Sequence, residues 1–275
     1  GSPYHRVLDL AEQMETFARK LIASKRLQPE ASDVLAVLVH AHDEDGAQLS
    51  DNELISNVFT LFVAGHETTS YALTWTLFLL DQHPHVCSEL LDELDGALHG
   101  DAPTPEQLMR LSLLDRVIKE SLRLLPPASV GVRVTMAACD LGGYALPAGA
   151  SVLYSEYVTH RLPELYVNPS RFEPDRWTTL NRSPYEYLPF STGQHRRLGA
   201  EFATYEVKVV LAMLLQRYRL SLVPHAKVGT NVSMRPSPGM PMHVFPQDRQ
   251  FQRPPVRGTI HRLVGLPGHG LEVFA

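Results

Sequence analysis

Between Ser50 and His83 runs a single long segment with punctuation at both ends, and it constrains the fold more than any other stretch. Ser50 and Glu53 form a capping-box pattern, in which each side chain satisfies a backbone N–H that a helix start leaves open. Pro84 closes the other end, because proline has no N–H to give and clashes with the preceding turn. The spacing predicts one helix from about Ser50 to His83, the longest in the chain. Its middle is apolar on nearly every side, which predicts a helix running through an interior. Gly65, His66 and Glu67 interrupt the apolar stretch from Val58 to Leu80, so a membrane span is not expected.

The remaining segments sort around that helix. Apolar residues at helical spacing predict helices from Tyr4 to about Lys25, Asp33 to His40, Val86 to Leu98, Pro105 to Leu111, Leu113 to Leu125 and Glu201 to Tyr218. Pro126 and Pro127 end the fifth of these. Short strands are predicted at Val130 to Val134, Cys139 to Leu146 and Ser151 to Leu153, with turns at Gly142-Gly143 and Pro147-Ala148-Gly149. From Thr159 to Pro189 the chain is rich in Pro, Asn, Ser and Arg and reads as a meander without regular structure. Beyond about Pro224, short strands and turns are expected. The fold class is mainly α with a small β portion, in one domain of five sections: 1–49, 50–125, 126–160, 161–200 and 201–275.

Charge and cysteine content narrow the function classes. With 25 Lys+Arg against 30 Asp+Glu, the chain carries a formal charge of −5 and shows no basic run, which argues against nucleic-acid binding. The two cysteines, Cys87 and Cys139, are far apart and have no metal-ligand spacing, so neither a disulfide framework nor a structural zinc site is expected. With no recognisable signal peptide, these features point to a cytoplasmic location.

Three further patterns carry chemistry. Within the long helix, Ala64-Gly65-His66-Glu67-Thr68-Thr69-Ser70 sets small residues beside an acid–alcohol pair, where glycine weakens the helix and Thr68 can bond back to a carbonyl. A zinc helix is ruled out here, because a second histidine would be needed at position 70, which is Ser70. Glu120 and Arg123 stand three apart and share a helix face. Such a pair is commonly a solvated surface contact, but this one lies in an otherwise apolar helix, with Phe172-Glu-Pro-Asp-Arg176-Trp177 downstream. Finally, Phe190-Ser-Thr-Gly193-Gln-His195-Arg-Arg197-Leu-Gly199 precedes a long apolar helix pattern.

These patterns, in this order, resemble the cytochrome P-450 family, the haem-thiolate monooxygenases, over about Asp33 to Phe245. The resemblance implies the C-terminal part of that fold, with the family's N-terminal helices and much of its first sheet outside this sequence. It implies haem as cofactor, an apolar small-molecule substrate into which one oxygen atom of O2 is inserted, and an electron-donor protein such as a ferredoxin or flavin reductase. Glu67 and Thr68 take the catalytic oxygen-side positions. Ala64, Gly65, Arg133, Phe190, Gly193, His195 and Gly199 take cofactor-binding positions, Arg133 and His195 toward the propionates, although a strand residue facing water is an equal reading of Arg133. Ala64, Ser129 and Val130 are the substrate candidates, and Glu120, Arg123 and Arg176 form a structural charge network behind the loop.

One position departs from the family. Arg197 stands where the axial cysteine belongs, and a protonated guanidinium has no lone pair for a metal. His195, two residues away, is aimed elsewhere by the same loop. Its missing ligand and short N-terminus predict impaired turnover in this chain, with a buried charge at position 197 that is costly without a partner. The alternative is a haem-free, non-catalytic protein on the same scaffold.

Overall fold

The computed structural model describes residues 2–231 and 233–268. Its residues fall into two compact units, 1–67 and 68–275, and each is taken by itself.

The first unit contains α1 (Pro3–Arg26), α2 (Val34–His40) and the first half of α3 (Asp51–Gln82). Asp33 caps α2 through the amide of Ala36 at 3.1 Å. The box at the head of α3 forms as the sequence predicts: the Ser50 amide donates to Glu53 Oε2 at 2.8 Å and the Glu53 amide to Ser50 Oγ at 3.4 Å. A small core of Ala18, Ile22, Val39, Leu54 and Ile55 holds the three helices, framed by an Arg26–Asp51 ion pair at 2.6 Å.

The second unit is built on the rest of α3 together with α4 (Pro84–Leu98), α6 (Ser112–Leu124) and α8 (Ala200–Arg217), with short α5 (Pro105–Arg110) between. Trp75, Phe78, Leu90, Leu114, Val117 and Leu211 fill the core where these helices meet. Two polar side chains inside it are matched: the Trp75 indole donates to the Met234 carbonyl at 2.7 Å and Thr76 Oγ1 to Ser121 Oγ at 2.8 Å. Four two-stranded antiparallel sheets surround the helices. They are β1 (Gly131–Val134) with β4 (Ser151–Tyr154), β2 (Cys139–Leu141) with β3 (Tyr144–Leu146), β5 (Tyr218–Leu222) with β8 (Met242–Pro246), and β6 (Gly229–Thr230) with β7 (Pro236–Ser237).

Most elements lie within a residue or two of their predicted bounds, and three findings correct the sequence reading. The middle of α3 is not interior: Leu61, Phe62 and Val63 are exposed. Apolar pattern shows what a helix can bury, whereas coverage depends on a neighbour, and no described residue covers this turn. An unpredicted short helix, α7 (Glu156–Thr159), capped by Ser155, runs up to the start of the meander, and the meander itself contains a 3-10 turn over Pro174–Thr178. Tyr218 begins β5 instead of ending α8, because long-range pairing with Pro246 overrides local helical spacing. The C-terminal segment contributes Ile260, Val264 and Leu266 to the main core. Residues 269–275 lie outside the described chain.

Candidate cofactor site

The charge network stands behind the site. In α6, Glu120 and Arg123 have no measurable exposure. Arg123 forks onto the carboxylate through Nε and Nη2, both at 2.9 Å. Arg176 Nε reaches Oε1 at 2.9 Å, the Trp177 indole reaches Oε2 at 2.9 Å, and the Glu173 amide completes the set at 3.0 Å. A carboxylate held by two guanidiniums, an indole and an amide is fully satisfied, which is the condition for a buried charge to be tolerated. The three residues singled out from sequence therefore meet, and Trp177 and the backbone of Glu173 join them.

From that network the chain leads to the loop. Burial pushes His160 down to about 3, aided by the Arg123 charge beside it, so it is neutral at physiological pH. The loop itself is closed by its own backbone: the Arg197 amide donates to the Phe190 carbonyl at 3.0 Å, and the Arg196 amide to the Gly193 carbonyl at 3.1 Å. Phe190 is half-buried and packs on the main core. Gly193 sits at φ +61°, a left-handed conformation suited to glycine. Gly199 has φ −76° and open space where a Cβ would stand, so no contact in this structure demands glycine there.

Arg197 corrects the expectation of a buried charge. It is exposed, and its Nη1 donates to the Pro189 carbonyl at 3.3 Å. A cavity of about 280 Å³ opens beside the loop, lined by Arg133, Tyr154, Tyr185, Leu188, Ser191, Thr192 and His195. Arg133 and His195, predicted separately, thus share one wall. Arg133 is half-buried, with its guanidinium 5.1 Å from the Tyr154 ring centroid. That ring lies so close over Gly131 that a Cβ there would fall 2.1 Å from Tyr154 Cζ.

Sequence reasoning missed the group between these cations. Glu156, at the head of α7, is 1% exposed and its Oε2 has no hydrogen-bond partner. Burial raises its pKa, partly offset by a hydrogen bond from its own backbone amide and, after that, by the charges of Arg197 and Arg133. Tyr154, Tyr185, Ser191 and Thr192 were not singled out either; Tyr154 meets Arg133 only through the pairing of β1 with β4, which no local pattern marks. Of the substrate candidates, Ser129 is buried, with its carbonyl accepting from Ser155 Oγ at 2.8 Å, and Val130 is exposed. Ala64, Gly65 and Glu67 lie on exposed turns of α3, and Thr68 is half-buried.

The Cytochrome P-450 family model matches residues 2–242, and the chain belongs to that family. It is 37% identical to pentalenene oxygenase of Streptomyces avermitilis over 74% of this chain and 46% of the relative. Cyclooctat-9-en-7-ol 5-monooxygenase of Streptomyces melanosporofaciens is 40% identical over 73% of this chain and 44% of the relative. Among solved structures, the haem domain of cytochrome P-450DA superposes with a TM-score of 0.78 at 33% identity, covering 88% of this chain and 56% of that one. Retinoic acid bound cyanobacterial CYP120A1 gives 0.77 at 32% identity, covering 87% and 56%. The chain spans about half the length of the curated relatives it matches, and its fold is a mainly α segment of the full family fold. No helix of the described residues is long and apolar enough to cross a membrane.

The residues present fit one part of the family's cofactor and not another. Arg133 and His195 in a cavity with aromatic walls suit the acidic edge of a porphyrin. The axial position does not fit. Arg197 supplies no lone pair, burial pushes the Cys87 thiol up to about 12, and Cys139 belongs to the separate β2–β3 hairpin. Among the described residues, no group of three or more His, Cys, Asp or Glu side chains could hold a metal ion.

Proposed function

We propose that this chain is the C-terminal segment of a haem-dependent monooxygenase, an oxidoreductase that places one oxygen atom of O2 on an apolar organic substrate and draws electrons from a ferredoxin or flavin reductase. The observation that carries the reading is the buried Glu120–Arg123–Arg176 network, linked through His160 to Leu188 just ahead of the loop Phe190–Gly199, within a chain whose relatives include named monooxygenases. In this reading Arg133 and His195 hold the cofactor's carboxylates, Glu67 and Thr68 serve the oxygen side, and Ala64, Ser129 and Val130 face the substrate. Haem supplies the oxygen chemistry when a thiolate holds it.

Arg197 removes that thiolate, so little or no turnover is assigned to the chain as it stands. This observation favours a second reading, a non-catalytic protein that keeps the scaffold. The two are separated by reconstituting the parent and Arg197→Cys with haem and recording the reduced carbon monoxide spectrum. A thiolate-type spectrum in the variant alone supports the monooxygenase reading, with one residue silencing the site. Its absence from both, in a folded protein, leaves the non-catalytic reading.

A further inference from the structure

The mismatch at position 197 points to a different rule of recognition. We propose that this site, resting on the family reading for the kind of macrocycle, selects a dicarboxylic porphyrin by its carboxylates and its aromatic face and is indifferent to the metal. Such a site takes the metal-free macrocycle as well as the iron-loaded one.

Three observations carry it. Arg133 and His195 project into one cavity and can each meet a carboxylate, while Ser191 and Thr192 offer hydroxyls beside them. Tyr154, Tyr185 and Leu188 provide the apolar wall a flat ring requires. Arg197 then decides the question of metal. Arg197 is exposed, its Nη1 is turned to the Pro189 carbonyl at 3.3 Å, and a guanidinium has no lone pair to give iron. In the family arrangement the iron–sulfur bond adds affinity for the metal; here that contribution is gone and the carboxylate contacts remain.

The test is a titration of the purified chain with three probes, read by quenching of protein fluorescence: metal-free protoporphyrin IX, haem, and protoporphyrin IX dimethyl ester. The expected result is equal affinity for the first two within about threefold, with the ester weaker by about tenfold, the size of one lost charge-assisted contact. Arg133→Gln is expected to weaken metal-free protoporphyrin by a similar factor. The proposal is overturned if haem binds more than about tenfold tighter than the metal-free ring, since some side chain then ligates iron. It is equally overturned if the ester matches the diacid or if the parent binds no porphyrin. Arg197→Cys, titrated alongside, keeps the family reading separate. If it prefers haem and gives the thiolate spectrum, that reading stands even where the parent binds nothing. If it gives no such spectrum, that reading fails even where the parent binds the diacid.

Discussion

His160 Nε2 accepts the backbone amide of Leu188 at 2.8 Å. The acceptor role fixes the tautomer: the proton sits on Nδ1, which donates to the Arg123 carbonyl at 3.2 Å. One neutral imidazole therefore joins the end of α6 to the residue that leads into the loop, two positions before Phe190.

This link makes stability depend on pH with a definite sign. Folded His160 titrates near about 3 and His83, also buried, near about 4, whereas an unfolded histidine titrates near about 6.5. The unfolded chain binds more protons in that window, so stability is complete above about pH 6.5 and is lost as pH falls toward 3. Urea titrations at pH 7.5, 6 and 5 should show the midpoint falling. In His160→Gln the midpoint should start lower at pH 7.5 and fall less steeply, the remaining slope being that of His83 set against Asp81. An unchanged slope would remove His160 from the account.

Asp81 carries the opposite sign. Burial raises it to about 6, against the lowering effect of the Leu222 amide that it accepts at 3.1 Å. Its charge thus opposes folding above about pH 6, and the cost fades as pH falls toward the unfolded value near about 3.8. Asp81→Asn keeps an oxygen for Leu222 and discards the charge. It should stabilise by on the order of 1–2 kcal/mol at pH 7.5 and by nothing at pH 4, measured by denaturant midpoints.

Replacing Glu120 tests the network. Glu120→Gln leaves two guanidiniums, one wholly and one mostly buried, without their shared counter-charge. The expected loss is about 3–5 kcal/mol. A loss under about 1 kcal/mol in urea titration would place this ion pair with ordinary surface pairs.

Gly131 tests the cavity wall. In Gly131→Ala the Tyr154 ring must leave, since the added carbon would lie 2.1 Å from Cζ, and the Arg133 guanidinium loses the ring it stacks on. Because Tyr154 is half-buried and free to swing outward, stability should change by less than about 1–2 kcal/mol. Porphyrin affinity should fall, and Tyr154→Ala added to Gly131→Ala should cause no further loss. Full affinity in the single variant would show that Tyr154 is not part of the wall.

What could be read from sequence followed from locality. Both ends of α3 were legible because Ser50, Glu53 and Pro84 act within one turn of themselves, and the Glu120–Arg123 pair because three-residue spacing sets a shared helix face. The loop was legible as a pattern, yet the exposed course of Arg197 was not, since it depends on a carbonyl eight residues back. Glu156 could not be recognised at all: nothing in Ser155-Glu156-Tyr157 marks the glutamate as buried between cations contributed by β1 and by the loop. The exposed Leu61, Phe62 and Val63 fail for the same reason, because side-chain character is a property of the residue and coverage belongs to its surroundings.

Arg123 has one more consequence, and it concerns time. Its guanidinium donates to the carbonyls of His160, Pro169 and Arg171, separated from it by 37, 46 and 48 residues. The segment from 160 to 176 is bonded within itself in short turns, such as the Tyr166 amide to the Leu162 carbonyl at 2.9 Å and the Arg171 amide to the Asn168 carbonyl at 3.0 Å, and how these turns lie against α6 is set by a side chain that must already be in place. Contacts of such separation form late, after the loop between them has been closed. We expect this stretch to order last in refolding and to open first under load. Pulsed hydrogen exchange should find the amides of Glu173 and Leu188 protected only after those of α6, and limited proteolysis should cut here before it cuts any helix of the second unit.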